Sequence, residues 1–438
     1  LRKICDEIFG EGNFLYQLTV VNNLNGNDNS SGMMETHEYC LIYAKDKDKF
    51  EFGVLPVDDE KEIEKWRIDE KGYYKEGGSL KATGINAPRE KRPNLFFPIY
   101  INEDTLDFSL EKKDGYDYQL LPITDNKEMS WYWSKEKFLK DKDEIIVKRT
   151  KDGYSLYKKQ RPSLGDLPSK RGKTTFYSSS YSMANSNAYI KKLFDGKKIF
   201  DYPKPIELIK DFVRLANTKD NDIVLDFFSG SATLADAVMQ LNAEDGGNRR
   251  FILVQLPEPT DEKSEAYKAG FKTISEISRE RIRRVAKKIK EEYPDFQGDL
   301  GFKAFKLDTS NIKAWDADFD TLKKSLLDAV DNIKPDRSEE DLLYEILLKY
   351  GLDLSIPIET RDVAGKLAYV VGYGALVVCL DDEITLDSVE SIAKLKEEYG
   401  SDDLTRVIFK DNSFESSEVK TNAIQILKQH GIDDVKSV

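Results

Sequence analysis

The sequence predicts an α/β protein, and three observations carry that prediction. Residues 222–256 read as a strand, a tight turn of small residues, a helix and a second strand, which together make one βαβ crossover. Apolar residues recur at helical spacing along 205–217 and again along 275–293. The 438 residues are enough for two or three domains with a sizeable core.

From the start of the chain, Leu1 to Phe9 reads as a helix, followed by a strand pair, Phe14 to Asn22 and Tyr39 to Lys45. The connection from Asn22 to Gly32 is too rich in glycine and asparagine to be a regular element. His37 and Glu38 close that loop, and a lone histidine here reads as a structural hydrogen-bonding group rather than a catalyst. Residues 46–198 look strand-poor. They carry Trp66, Tyr73, Tyr74, Trp131, Tyr132, Trp133, Tyr154, Tyr157, Phe176, Tyr177 and Tyr181, interleaved with basic residues. Such a mixture suits a surface that holds phosphates and stacks on bases. The tryptophans themselves read as core, since buried rings dominate the stability of small domains. The basic and polar residues between them are the candidate contacts.

Pro205 to Asn217 reads as an amphipathic helix with Ile206, Ile209, Phe212, Val213 and Ala216 at helical spacing. Ser275 to Tyr293 reads as a basic helix with Ile277, Ile282, Val285 and Ile289 on one side. Its charges, Arg279, Arg281, Arg283, Arg284, Lys287 and Lys288, read as a solvated face that DNA or a partner could use. Beyond Asp308 a separate small domain is expected. Ser338 and Asp341 form an N-cap pattern opening a helix. Leu367 to Leu380 and Thr405 to Phe409 read as strands. Leu386 to Tyr399 and Ser416 to His430 read as helices, the first closed by Gly400.

The crossover is the place to look for a ligand, because open α/β sheets bind nucleotide-like molecules at such turns. Ile223 to Leu225 reads as a short buried strand, with Asp226, Phe227 and Phe228 at its C-terminal end. Ser229, Gly230, Ser231 and Ala232 make the turn, Thr233 to Leu241 opens the helix, and Phe251 to Leu256 is the next strand. The turn lacks the G-x-G-x-x-G spacing and the P-loop lysine, which disfavours a dinucleotide-dependent oxidoreductase and a nucleoside triphosphate. A carboxylate with two aromatic rings suits a ligand that has a cationic amino acid end and an adenine, and S-adenosylmethionine is such a ligand.

Asp-Phe-Phe-Ser-Gly-Ser-Ala-Thr at 226–233 resembles the cofactor motif of the amino-group DNA methyltransferases, usually Asp-x-Phe-x-Gly-Ser-Gly-Thr. Phe-Asp-Tyr-Pro-Lys-Pro at 200–205 is similar to the segment that precedes it in those enzymes. Residues 248–258 and 270–284 resemble the modification (Mod) subunit of Type III restriction–modification systems, as do Arg89 to Tyr100 and Ser130 to Ser134. That likeness runs essentially the whole length of the chain. It implies a Rossmann-like S-adenosylmethionine-dependent methyltransferase core with an inserted target-recognition domain. The implied divisions are 1–45, part of the core; 46–198, target recognition; 199–308, the cofactor-binding part of the core; and 309–438, dimerisation and partner docking. The implied partners are double-stranded DNA, a second Mod subunit and the restriction (Res) subunit. For the cofactor site the resemblance implies Asp201, Lys204 and Pro205 closing over the methionine end. Asp226, Phe227, Phe228, Gly230 and Ser231 would line it, and Gln255 would meet a ribose hydroxyl. Many members have glycine where Ala232 stands, and many wider relatives have an acid where Gln255 stands.

The departure from the family is as informative. The Asp-Pro-Pro-Tyr motif, which in these enzymes performs the chemistry, occurs nowhere in the 438 residues. The chain also opens with Leu1 inside a helix that in the family follows the strand after that motif. The expectation is a chain that lacks an N-terminal portion and by itself transfers no methyl group. No catalytic residue is therefore assigned. The runner-up is an inactive DNA-reading and docking fragment.

A net charge of −13 sits poorly with DNA binding, whose affinity comes mostly from phosphate neutralisation. Its distribution resolves the conflict. Residues 146–200 hold thirteen basic residues against the acids Asp152, Asp166 and Asp195, a local net charge of +10. The candidate phosphate contacts are Lys148, Arg149, Lys158, Lys159, Arg161, Lys170, Arg171 and Lys173, and the alternative is a solvated lysine-rich surface. Three separated cysteines and two histidines offer no zinc or disulfide framework, so no metal is expected. With no signal-peptide pattern and no membrane-length apolar run, a reducing cytoplasm is the default.

Overall fold

The computed structural model describes all residues except 24–25, 29–31, 58–59, 152, 163–167, 314–331 and 400–405. Asp152 and Asp166, Gly400 as a helix stop, Thr405 as a strand start and five residues of the Asn22–Gly32 connection therefore lie outside the described residues. The chain divides into two compact units, Leu1–Gly301 and Phe302–Val438. No described helix is long and apolar enough to cross a membrane.

In the first unit the helix Arg2–Phe9 leads into the strand Phe14–Val21, which pairs antiparallel with His37–Tyr43. Within the connection, Asn27–Asp28 pairs with Met34–Glu35, a two-residue ladder where no regular element was expected. Glycine at 26 and 32, both with positive φ, allows the backbone to double back there. On its other edge Phe14–Val21 pairs in parallel with Thr175–Tyr177. The chain thus leaves this sheet after Tyr43 and rejoins it at Thr175, on the far side of the central strand Phe14–Val21.

The excursion in between is not strand-poor. A four-stranded antiparallel sheet runs in the order Ile145–Thr150, Gly153–Gln160, Gly72–Ser79, Arg67–Asp69. A three-stranded sheet pairs Tyr118–Leu120, Ile99–Asn102 and Asp107–Ser109. The strands escape a reading by eye because most have two to four residues. Gly72–Ser79 is long enough, but its sequence GYYKEGGS has low strand propensity and follows no alternation. Leu80, Phe97, Ile99, Ile101, Phe108, Trp131, Phe138 and Leu156 form the shared core. Here the two segments with a family likeness meet. Trp131 donates its backbone N–H to Leu95 O at 2.8 Å and its indole Nε1–H to Phe97 O at 2.8 Å, while Ser130 Oγ donates to Ala87 O. Trp66 and Trp131 are buried, as expected of a core role, while Tyr132 is exposed.

After the helix Met183–Leu193 the chain enters the crossover region. Pro205 caps the helix Ile206–Leu215, whose most buried residues are Leu208, Lys210, Val213 and Leu215, with Ile209 and Phe212 only partly covered. The apolar stripe is therefore rotated from the one read along the sequence. Buried Lys210 is held by Glu207 and Glu244. Ile223–Asp226 and Arg250–Leu253 pair in parallel, joined by the helix Thr233–Asp245. Val224, Phe251 and Leu253 pack on Val213, Leu234, Val238 and Leu241. By strand alternation Ile223, Leu225, Ile252 and Val254 face the other way, where all four are exposed, so the strand read as buried is covered on one face only. The helix Ile274–Glu292 opens with a capping box between Thr273 and Glu276.

The second unit holds a five-stranded sheet, Ile358–Asp362, Leu367–Val371, Leu376–Cys379, Arg406–Phe409 and Asp434–Ser437. The first three strands are antiparallel and the last three parallel. Leu386–Tyr399 and Ser417–Gln429 are the crossover helices and pack on one face, with Val389, Ile392, Ala423 and Leu427 in the core. Leu342, Leu343, Ile346 and Leu347 of the helix Glu339–Lys349 cover the other. Strands buried on both faces read as the unbroken apolar runs seen at 367–380. Ser338 and Asp341 cap their helix reciprocally, as the sequence pattern predicts.

Candidate functional site

The turn at the C-terminal end of Ile223–Asp226 is held from three sides. Asp226 Oδ1 accepts from its own turn, from Phe228 N at 3.0 Å. Asp226 O accepts from Val254 N at 2.8 Å, and Ser229 N donates to Val254 O at 3.1 Å, so the two strand ends are laced together. Gln255 Oε1 then accepts from Gly230 N at 2.7 Å, with its Nε2 donating to Leu256 O. Gly230 has φ +51°, and Ala232 follows in the left-handed conformation as the N-cap of Thr233–Asp245, with no side-chain cap. A left-handed N-cap is a conformation that glycine would adopt at less cost than Ala232 does.

Phe227 and Phe228 project from this turn with ring centroids 5.1 Å apart, Phe228 being 81 % exposed. Ser229 Oγ is buried without a hydrogen-bond partner. Phe200, not Asp201 or Lys204, brings the upstream segment to the turn: its ring lies 3.5 Å from where a Cβ on Gly230 would stand. Asp201 pairs with Lys198 at 2.7 Å, and Lys204 reaches Glu38 Oε2 at 2.6 Å, tying this segment to the strand His37–Tyr43. His37 meets Tyr39 Oη at 3.1 Å, a local hydrogen bond in keeping with a structural role. Ser231 is buried and its Oγ faces inward, so its side chain serves the fold on that side.

What holds Ser231 escaped the sequence reading. Arg281, from the helix Ile274–Glu292, is 1 % exposed. Its Nη1 donates to Ser231 Oγ at 2.9 Å, Thr233 Oγ1 at 3.0 Å and Ser231 O at 3.2 Å, and its Nε donates to Asp236 Oδ2 at 2.9 Å. Asp236, also buried, receives Gln240 Nε2 at 2.7 Å and Tyr189 Oη at 3.2 Å on Oδ1. Burial, then the Asp236 charge, pushes the Tyr189 hydroxyl far up, which keeps it a donor. Ser278 Oγ donates to Gly230 O at 2.6 Å and shares its proton with Ile274 O. The expectation of a solvated basic face thus fails at Arg281. The signal was present, because position 281 lies four residues from both Ile277 and Val285 on the apolar stripe.

The basic segment is less positive in space than along the sequence. Arg161 makes charge-assisted hydrogen bonds to Asp69 and Glu144, which push its guanidinium further up, and Lys159 lies 2.6 Å from Asp69. Lys148 pairs with Glu76, and Arg149 donates to Tyr154 Oη. Lys158 on Gly153–Gln160 is exposed, as is the group Lys170, Arg171 and Lys173, which leads into the strand Thr175–Tyr177. Among the sequence-predicted DNA residues, then, Lys159 and Arg161 are partly buried in ion pairs, whereas Lys148, Arg149, Lys158, Lys170, Arg171 and Lys173 are exposed.

A DNA methylase family model of the N6/N4 type matches residues 1–288. The chain is 37 % identical over 372 residues to the Type III restriction–modification enzyme EcoPI Mod subunit of Escherichia phage P1, covering 84 % of this chain and 56 % of that protein. It is 33 % identical over 299 residues to the Type II methyltransferase M.KpnI of Klebsiella pneumoniae, covering 68 % of each. With the EcoP15I Mod subunit of Escherichia coli it shares 28 % identity over 439 residues, 95 % of this chain and 64 % of the relative. The chain thus spans a little over half of the first of these and under two thirds of the third. With the family model covering most of its first unit, the chain belongs to the DNA methylase family.

Proposed function

We propose that this chain is the larger part of an S-adenosylmethionine-dependent DNA adenine methyltransferase, the modification subunit of a Type III restriction–modification system, working in the cytoplasm. The observation that carries the cofactor reading is the turn at 226–233. It combines a strand-end carboxylate, two projecting phenyl rings, an unpartnered buried hydroxyl on Ser229 and a helix start without a side-chain cap. Uncapped N–H groups and a nearby carboxylate suit a zwitterionic ligand with an aromatic base. When bound, S-adenosylmethionine supplies an electrophilic sulfonium methyl. The chain's own residues hold and orient: Asp226 accepts from the ligand's polar groups, and Phe227 and Phe228 give apolar walls. Gln255, engaged by Gly230 N–H, first sets the turn, so its role toward a ribose is indirect.

We further propose that these 438 residues build only part of the methyltransferase core. A parallel sheet is ordinarily covered on both faces. The pair Ile223–Asp226 and Arg250–Leu253 instead leaves Ile223, Leu225, Ile252 and Val254 bare on one face, beside Phe227 and Phe228. Residues 46–198 are assigned to target recognition, and the Phe302–Val438 unit to contact with a second copy and with a restriction subunit.

Calorimetry with S-adenosylhomocysteine tests the site. Asp226→Ala is expected to weaken binding by roughly 1.5 to 3 kcal/mol, the range for a hydrogen bond to a charged group. Gly230→Val should also weaken it, but through backbone strain. Its Cβ finds ordinary contact with Phe200, whereas φ +51° costs an L-residue about 1 to 2 kcal/mol. Affinity like that of the parent in both variants would remove the site and reopen the nucleotide alternatives.

For DNA, replacing Lys170, Arg171 and Lys173 with alanine is expected to weaken binding and flatten its salt dependence, by about 0.9 log unit per lost phosphate contact. Arg161→Ala should act differently, destabilising the fold through Asp69 and Glu144 with little change in salt slope. Unchanged affinity and slope in the triple variant would make this run a solvated surface.

A further inference from the structure

We propose that Arg281 and Ser278 are positioning residues that set the peptide orientation of the turn Ser229–Ala232 and thereby preorganise the ligand site. The proposal rests on the cofactor reading above. Both residues come from the helix Ile274–Glu292, some fifty positions beyond the turn they hold. Ser278 takes Gly230 O and Arg281 takes Ser231 O, two consecutive carbonyls. In a planar trans peptide the C=O and N–H point in opposite directions. Binding Gly230 O to Ser278 therefore turns the Ser231 N–H away from the helix Ile274–Glu292 and leaves it to face the ligand site. Tying down Ser231 O holds Ala232 in the left-handed conformation, where a non-glycine residue is otherwise disfavoured. Gln255, beyond the second strand of the pair, adds a further restraint through Gly230 N–H.

The same guanidinium bonds Thr233 Oγ1 and Asp236, so it clamps turn and first helical turn as one piece. A buried ion pair adds little net stability over apolar residues of equal volume. What it supplies here is direction, since the planar guanidinium forks its donors at fixed angles. Asp236 is in turn oriented by Gln240 and by Tyr189 on the helix Met183–Leu193.

The test uses the full 438-residue chain with S-adenosylhomocysteine as the probe. Arg281→Met alone would strand the Asp236 charge, so it is paired with Asp236→Asn, and Ser278→Ala is the milder variant. The double variant is expected to bind the probe about tenfold more weakly, as for loss of a charge-assisted hydrogen bond. Ser278→Ala should shift affinity a few-fold in the same direction. Amide hydrogen exchange without ligand should accelerate across 228–233 and stay unchanged in Ile223–Asp226. Arg281→Lys keeps the charge but cannot fork to Asp236, Ser231 and Thr233 together, and should recover melting temperature without recovering affinity. Parent-like affinity and exchange in the double variant, or full rescue by lysine, overturns the proposal. If the parent chain itself takes up no S-adenosylhomocysteine, the cofactor reading falls, and the exchange experiment alone decides the brace: faster exchange at 228–233 supports it and unchanged exchange ends it.

Discussion

Given S-adenosylmethionine labelled with tritium in its methyl group, and DNA of mixed sequence, the 438-residue chain is expected to leave incorporation at background. An adenine amino group is a poor nucleophile because its lone pair is delocalised into the ring. Enzymes of this kind flip the base out and hold the amine by directed hydrogen bonds, so their rate is mostly positioning and electrostatics. Losing one such oriented group costs on the order of 10² to 10³ in rate, and the absent Asp-Pro-Pro-Tyr tetrapeptide would supply more than one. Ligand binding and methyl transfer should therefore separate in this chain, the first measurable by calorimetry and the second not. Clear incorporation that disappears in Asp226→Ala would mean that another loop among these residues does the chemistry.

The largest stability effect is expected at Trp131. It is 1 % exposed, with its ring 5.9 Å from that of Phe138 and its indole N–H bonded to Phe97 O. Trp131→Ala empties the centre of the core between the two sheets of the excursion and leaves a buried carbonyl unpaired. The cost is about 3 to 5 kcal/mol for the cavity and roughly 1 kcal/mol more for the orphaned acceptor. Scanning calorimetry should show an earlier unfolding transition for the first unit and an unmoved one for Phe302–Val438. Tyr132→Ala, at the exposed neighbouring position, should stay within about 0.5 kcal/mol of the parent. A Trp131→Ala loss below about 1 kcal/mol would contradict the packing described here.

The difference between what the sequence discloses and what it hides is physical. Ile223–Asp226, Thr233–Asp245 and Arg250–Leu253 are legible because each obeys one period and is bounded by a turn residue with a mechanical reason to be there. Residues 72–79 are not, since their pairing depends on 67–69 and 153–160 rather than on their own side chains. Charge suffers the same fate. Lys159 and Arg161 read as basic next to their neighbours, yet their acids stand at Asp69 and Glu144, in a strand and a short 3-10 helix that only folding brings alongside. Arg281 was hidden differently. Its place on an apolar stripe was visible, but no sequence rule supplies Asp236 and Ser231 as its partners. Asp226 and Gly230 were legible as a turn, while the hydrogen bond from Gly230 to Gln255 waits on the second strand being laid parallel to the first.

The strand Phe14–Val21 has Tyr43 opposite Phe14 on one side and Thr175 opposite Thr19 on the other. Strand spacing and rise put those two residues about 20 Å apart, two strands across and five residues along. Between them stand the two antiparallel sheets built on Leu80, Ile99, Trp131 and Leu156, a hydrophobic core of their own, while Gly53 and Leu55 anchor the start of the segment on the helix Ile206–Leu215. Under the target-recognition role proposed for 46–198, such a mounting would let the sheets built on Trp131 be exchanged as a cassette. A foreign segment whose ends lie a similar distance apart could be spliced between the same two strands, leaving the Asp226 turn and its Arg281 brace untouched. If that role holds, a new DNA word would ask only for a new tenant on an old frame.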